Sequence, residues 1–438
     1  MSWVGYFALM AVLLFALMIP GTWIAICLGI SGLAALFVSD GFKYFSTLGT
    51  ITWNAAIDFT LSAVPVFMLM GEVIVASGLS KNFFRGLMKW GRRIPGSLLH
   101  VSVVACAIFS AISGSGPATA SGIGSIAIPE MKKRRYPAPQ IYGTLASSGT
   151  LGILIPPSLV LILYGSLTDL SIVKLFSAAI VPGLILTGFF LVYTFGSSVL
   201  LQKRHPEKTP ILMAEDEDMT TGQALKGILP LIITIVVLLG SLYGGFATPI
   251  ESAALGTFIV LVFGFWLGDL TAAKVYESAK NASKSTVMCI ILMITAKYFT
   301  FAVSRLNINR YLTQWVIDAN FSPVVFLAVI GVIYLILGCF MDGGSIIVLT
   351  IPLLAPIATE LGIDLVWLAV YITILVQIGQ VTPPMGLNLF IVQGVDRDCK
   401  FGDVCRGVVP YIAAMCIFCV FLIAFPQMCA WVPALLGY

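Results

Sequence analysis

Four short stretches of this sequence carry residue types that bind ions, and they come in two pairs. The first pair is Ser113-Gly114-Ser115-Gly116-Pro117 and, farther on, Gly149-Thr150-Leu151-Gly152 with Pro156-Pro157. The second is Met341-Asp342-Gly343-Gly344-Ser345 and then Gly379-Gln380-Val381-Thr382-Pro383-Pro384. Glycine allows close approach and unusual dihedrals, and proline removes a donor and breaks a helical ladder. Hydroxyl and carbonyl oxygens left at such breaks are the hard ligands that an alkali cation prefers over nitrogen or sulfur. Half-helix N-termini at the same places can face an anion. One broken segment alone reads at least as well as tight helix packing. Two breaks beside two glycine-rich tips in matching order favour a binding site. Asp342 is the most informative residue, because a charge inside apolar sequence usually marks an ion or substrate path. Aspartate also caps helix N-termini, and one residue can do both.

Catalytic chemistry finds little support. Ser115 lacks the G-x-S-x-G frame and a histidine base, and no Walker A sequence occurs. Gly122-Ile123-Gly124-Ser125-Ile126-Ala127 superficially fits a dinucleotide pattern but has no soluble strand before it. Cys416 and Cys419 form a C-x-x-C with no second pair nearby, so packing is the better reading. His100 and His205 are isolated. The reading is therefore not an enzyme.

The elements that position the four stretches follow from composition. The chain has 438 residues, 59% of them hydrophobic and 10% charged, with a mean hydropathy of +1.02. Soluble domains carry about 25% charged residues, so most of this surface must face lipid. The net charge of +4 argues against a nucleic-acid partner. No charge precedes Asp40, so the first apolar segment lacks the basic region of a cleaved signal and is expected to stay.

Apolar runs long enough to cross a bilayer lie near 2–19, 22–39, 56–78, 138–165, 174–201, 227–245, 248–267, 286–303, 365–393 and 408–434. This predicts an all-α integral membrane protein with about ten transmembrane helices. Two more apolar regions, 97–130 and 322–356, are broken by glycines in the middle. Lys81, Arg85, Lys89, Arg92 and Arg93 precede the first, and Lys132-Lys133-Arg134-Arg135 follow it. Basic flanks stay cytoplasmic, so the segment between them must enter and return as a re-entrant hairpin. Such backbone survives at membrane depth only inside protein or beside water.

Alternating spans from this anchor places both termini outside, with Arg305 and Arg310 on the outer side against the trend. The halves match in layout: 1–210 and 227–438 each have three spans, a hairpin, a broken helix (138–165 and 365–393) and a last span. A polar linker, 211–226, joins them and includes Glu215-Asp216-Glu217-Asp218. Gly116 leads Gly343, and Pro156-Pro157 leads Pro383-Pro384, by one interval. An odd number of crossings per half makes the repeats inverted in topology. Glu72, Glu251 and Lys297 are expected to pair with one another inside the scaffold, and Lys132 to Arg135 to anchor at lipid headgroups.

At these residues the sequence resembles the large membrane subunit of the tripartite ATP-independent periplasmic (TRAP) transporters, the DctM type. The resemblance runs from about Val64 to Ile391. It is carried by Val64 to Gly71 (VPVFMLMG), Ser77 to Ser80 (SGLS), Phe109 to Pro117 (FSAISGSGP) and Ile126 to Met131 (IAIPEM). Gly149 to Ser158 (GTLGILIPPS), Tyr243 to Glu251 (YGGFATPIE) and Gly379 to Leu387 (GQVTPPMGL) add to it. Ile250 stands where the family's TPTE motif has its second threonine.

The resemblance implies sodium-coupled uptake of an organic acid by an elevator-like motion, in a bacterial inner membrane. It implies no cofactor beyond sodium as coupling ion. The implied partners are a periplasmic substrate-binding protein and a small four-helix membrane subunit; a self-sufficient carboxylate symporter is the alternative. Carried over residue by residue, Ser113, Gly114, Gly149 and Gly152 would hold one ion. Asp342, Gly343, Gln380 and Thr382 would hold another. Ser115, Pro157, Asp342 and Asn388 would meet the substrate carboxylate.

Overall fold

In lipid an apolar segment must satisfy every backbone N–H and C=O internally, and a helix does so within one segment. The computed structural model describes residues 2–91, 94–204 and 219–437. Among them, 9 helices are long and apolar enough to cross a membrane. Trp3–Met18, Ile24–Asp40, Ser97–Ser113 and Leu365–Val381 are shorter apolar helices. Each span expected from the sequence corresponds to helix, and the protein is an all-helical, multi-pass membrane protein.

Both glycine-broken regions are helical pairs. The first is Ser97–Ser113 followed by Gly116–Lys133; the second is Pro323–Phe340 followed by Gly343–Glu360. The two interrupted spans are also broken at the prolines. Ala138–Gly149 and Leu151–Leu154 give way to Leu159–Thr168, and Leu365–Val381 gives way to Leu387–Val395. Pro156-Pro157 and Pro383-Pro384 are both cis.

Helix packing divides the spans into an inner and an outer group, and the first broken helix is the most deeply buried of them. The best window of Ala138–Thr168 is 83% buried, against 33% for Thr221–Tyr243 and for Pro249–Leu267. The inner group comprises the two hairpins and the two broken helices, with Phe401–Ala424 packed along Ala138–Gly149. In the outer group Ala272–Arg305 lies against Ile24–Asp40 and Ala63–Ser77, and Pro249–Leu267 also packs on Ala63–Ser77.

Several expectations need correction. The helix expected at 286–303 begins at Ala272, because Lys274, Glu277, Lys280 and Lys284 form a polar helical extension that an apolar search passes over. The last span stops at Ala424, where Pro426 opens a short 3₁₀ turn before Trp431–Leu435. Leu79–Gly91 and Ile308–Asp318 are amphipathic helices following the third span of each half. In Leu79–Gly91, Phe83 and Phe84 are buried while Lys81 and Arg85 are exposed.

Glu72, Glu251 and Lys297 do not form the expected cluster. Glu251 is exposed and closes a capping box with Thr248, accepting its N–H at 2.8 Å. Lys297 donates to the Ser166 carbonyl at 3.0 Å, and the Ser166 hydroxyl donates to Asp58 at 2.6 Å. Arg92, Arg93, His205 and 211–218 of the linker lie outside the described residues.

Candidate functional site

The first hairpin turns at Gly114, whose φ of +61° lies in the left-handed region that favours glycine. Ser115 then caps the second arm, its hydroxyl accepting from the Ala118 N–H at 3.5 Å. The hydroxyls of Ser113 and Thr119 share a 2.8 Å hydrogen bond, and Thr119 donates to the Ser115 carbonyl at 2.9 Å. Three oxygens are thus gathered at one tip.

The first broken helix closes on that tip. A Cβ at Gly152 would stand 2.7 Å from the Ser115 carbonyl oxygen and 2.8 Å from the Thr119 hydroxyl. A Cβ at Gly114 would stand 2.8 Å from the Pro157 carbonyl oxygen, while the Gly114 carbonyl accepts from the Leu159 N–H at 3.3 Å. Gly149 faces elsewhere along the same arm: a Cβ there would meet Ala120 Cβ at 2.6 Å.

At the second tip, Asp342 caps Gly343–Glu360 by accepting from the Ser345 N–H at 3.2 Å, and also from the Ser345 hydroxyl. A Cβ at Gly343 would lie 2.8 Å from Val376 and 3.2 Å from the Gln380 amide nitrogen. Thr382 is turned back on its own helix, its hydroxyl donating to the Ile378 carbonyl at 2.6 Å. The Asp342 carboxylate itself is exposed to a cavity of about 420 Å³.

Gln380 joins the two tips. Its amide nitrogen faces Gly343, and its amide oxygen would lie 3.4 Å from a Cβ at Gly116 of the first hairpin. The broken helices also meet directly. Thr150 donates to the Gln377 amide oxygen at 3.3 Å, and the Asn388 amide donates to the Ala146 carbonyl at 3.2 Å.

Of the residues implied for the substrate, Ser115 and Pro157 meet around Gly114 and Gly152. Asp342 faces the cavity, and Asn388 sits between the broken helices. Thr119, Ser147, Ser148 and Gln377 were not singled out from the sequence. Gln377 lies one turn before Gln380 in an otherwise apolar helix, and that polar spacing was the available signal.

Four buried oxygens in these elements lack a hydrogen-bond partner among the described residues: the Ser147 and Ser148 hydroxyls, Gln380 Oε1 and Asn388 Oδ1. An unpaired buried polar atom costs about 1–3 kcal/mol. Oxygen donors without protein partners, placed at helix breaks, suit a hard cation.

At the far end of the first hairpin a polar clasp ties the inner elements together. Lys132 pairs with Asp396 at 2.9 Å and with Asp398 at 3.2 Å, and the Tyr142 hydroxyl donates to Asp396 at 2.7 Å. Lys133 and Arg134 pair with Glu130 at 3.7 and 2.6 Å, so Lys132, Lys133 and Arg134 engage protein carboxylates rather than serving only as a headgroup anchor. Burial pushes the Asp396 carboxyl up, but hydrogen bonds from Lys132, Tyr142 and the Asp398 N–H outweigh it and hold the group below its ordinary value.

A carboxyl held low stabilises the fold above its unfolded value, and that contribution disappears as pH falls through the lowered one. Lys132 is partly exposed, so solvent screening limits the pair to about 1 kcal/mol. Asp396→Asn should therefore lower stability by that amount at neutral pH in a detergent melting assay. The gap to the unsubstituted chain should close only in acid below about pH 4.

Comparison with known proteins agrees with this architecture. The family model for the DctM component of the tripartite ATP-independent periplasmic transporter matches residues 11–428. The C4-dicarboxylate TRAP transporter large permease protein DctM of Vibrio cholerae serotype O1 is 32% identical, over 98% of each chain. That of Pseudomonas aeruginosa is also 32% identical, over 94% of each. The sialic acid TRAP transporter large permease protein SiaM of Vibrio cholerae is 30% identical, over 93% of this chain and 95% of its own. Among solved structures, the YdaH transporter of Alcanivorax borkumensis aligns with a TM-score of 0.64 at 16% identity. It covers 91% of this chain and 90% of its own, a likeness of fold. The chain belongs to the DctM family of TRAP transporter large permeases.

Proposed function

We propose that this chain is the large permease subunit of a sodium-driven importer of an organic acid in the bacterial inner membrane. A periplasmic binding protein delivers the acid, and a small four-helix membrane subunit completes the complex. The observation that carries the sodium reading is the placement of Gln380 between both hairpin tips, within a set of buried, unpartnered oxygens at the helix breaks. Hydroxyl and amide oxygens are hard donors that suit sodium, and the one unpaired buried side-chain nitrogen of the two broken helices among the described residues, Gln377 Nε2, is a neutral amide. The relatives named for C4-dicarboxylate, sialic acid and 2,3-diketo-L-gulonate support an organic acid as cargo.

The hairpins and broken helices move as an elevator against the outer helices, in two repeats of inverted topology with both termini periplasmic. Matching hairpins support the repeats, since both second arms are 18 residues long and start at Gly116 and Gly343. Thr150 and Gln377, which touch, are separated by 227 positions. The same interval relates the two proline pairs. Equivalent positions of two repeats touch each other only at the axis relating them.

The test is uptake into proteoliposomes holding this chain with its small membrane partner, using a panel of organic acids. The inward sodium gradient and the binding protein would each be present or absent. Accumulation requiring both supports the tripartite symporter. Undiminished uptake in sodium-free, proton-buffered medium overturns the sodium reading, and sodium-driven uptake without the binding protein replaces the complex by a self-sufficient symporter. In the same assay, Asp342→Ala should weaken the sodium dependence of uptake while costing only about 1 kcal/mol of stability for the lost cap. Wild-type sodium dependence in that variant removes Asp342 from the ion path.

A further inference from the structure

The 420 Å³ cavity in front of Asp342 lies between the second hairpin tip and the outer helices. Its size suits a small-molecule site. One side is Asp342, Gly344 and Ser345 of the tip with Leu159 and Leu163 of the first broken helix. The facing side comes from the turn between the first two helices and from Ala272–Arg305, and it is built of bulky apolar groups. Met18, Trp23 and Met288 line it together with Leu292, and Met68 of Ala63–Ser77 adds to it.

Polar lining is sparse. Ser345 is already engaged by Asp342, which leaves the hydroxyls of Thr22 and Ser285 and the indole N–H of Trp23 as the side-chain hydrogen-bonding groups of the wall. No Lys, Arg or His lines the cavity among the described residues, and Asp342 is its one ionisable acid.

From this lining we infer that the cargo is a monocarboxylate with an apolar body, such as a branched aliphatic or aromatic acid. The inference rests on the proposed organic-acid symport and names the substrate class of that site. Methionine side chains adapt to irregular apolar surfaces. A sugar acid would bring several hydroxyls against this wall and leave most of them unpaired, which is costly. A dicarboxylate would bring a second negative charge into a cavity that already holds Asp342 and offers no basic side chain. A single carboxylate fits. It points to the hairpin tip, where the Gly343 and Gly344 N–H groups start an 18-residue helix. On the reading above, a cation held at Asp342 matches its one charge. The apolar body then lies along Met68, Met288 and Trp23.

Cys289 lines the same cavity, so a ligand seated there would cover its thiol. The experiment uses the membrane complex in nanodiscs with sodium present. Alkylation of Cys289 by a thiol reagent is followed by peptide mass spectrometry, with Cys289→Ser as the blank. The probes are 4-methyl-2-oxopentanoate, succinate and N-acetylneuraminate. The expected result is at least tenfold slower labelling with 4-methyl-2-oxopentanoate and no protection by the other two at the same concentration. Protection by succinate or N-acetylneuraminate equal to or better than that by the oxo acid overturns the inference, as does protection by none. A Met288→Arg variant should gain protection by succinate, since it supplies the missing cation.

Parallel uptake assays keep the two readings apart. Sodium-driven uptake of succinate but not of the oxo acid leaves symport standing and overturns the substrate class. Sodium-independent uptake of the oxo acid, with Cys289 protected, overturns symport and leaves the class standing.

Discussion

Gln380→Ala should slow sodium-driven uptake sharply while leaving a folded protein, with the apparent affinity for sodium weakened by more than tenfold. The side chain is almost wholly buried and stands between Gly116 of one hairpin and Gly343 of the other, so its removal opens a gap where both tips meet the second broken helix. Its amide oxygen has no protein partner, so truncation breaks no hydrogen bond at that atom. The loss falls instead on whatever that oxygen coordinates. Gln380→Glu keeps an oxygen there and should retain part of the activity, with tighter sodium binding offset by the cost of a buried charge. The measurement is the initial uptake rate against sodium concentration, with size-exclusion profiles as the folding control. An unchanged sodium curve for Gln380→Ala places the ion elsewhere.

The largest effect on stability is expected at Gly407. Phe401–Ala424 crosses Ala138–Gly149 with backbone against backbone, and a Cβ at Gly407 would collide with the Pro139 carbonyl oxygen and stand 2.8 Å from Gly143 Cα. Neither obstacle is the end of a flexible side chain, so the helices themselves must separate. Overpacking of this kind costs about 1–3 kcal/mol, occasionally more, and Gly407→Val adds β-branched bulk at a point of backbone contact. The expected outcome is loss of the monodisperse species in detergent, or a melting temperature lowered beyond that of any polar-clasp variant. Gly402→Ala on the same helix is the control. A Cβ there meets nothing within 4 Å, and replacing glycine in a helix should be neutral or stabilising by up to about 1 kcal/mol.

The parts of this fold that were legible in the sequence are those where one physical rule dominates. Lipid forces long apolar helices, so the span at 174–201 falls inside the observed Ile172–Arg204. Single prolines sit inside helices here, as at Pro182 and Pro410, but clustered glycines and paired prolines coincide with interruptions of helix at 114–115, 155–158, 341–342 and 382–386. What was missed depends on faces and partners. Leu79–Gly91 and Ile308–Asp318 are amphipathic and carry no apolar run long enough to register. Glu251 looked like an intramembrane charge, but it lies in the first turn of its helix and needs only Thr248. Lys297 was expected to seek a carboxylate; it finds the Ser166 carbonyl, which a linear sequence 131 positions away does not announce.

At the candidate site the same division holds. Ser113 bonds to Thr119, and Gly152 faces Thr119 and the Ser115 carbonyl, because the hairpin tip and the break pack against each other. Gly149 illustrates the limit, because a glycine at a break serves as readily to seat Ala120 as to expose a carbonyl. Gln377 is noticed once Thr150 is seen to reach it across the two helices.

The clasp of Lys132, Tyr142 and Asp396 has a consequence for how the inner elements can rearrange. It fastens an arm of the first hairpin to the chain that follows the second break. With the two fastened, the cheapest displacement of either is one that carries the other along. A rearrangement of one alone must first give up about 1 kcal/mol of ion pairing.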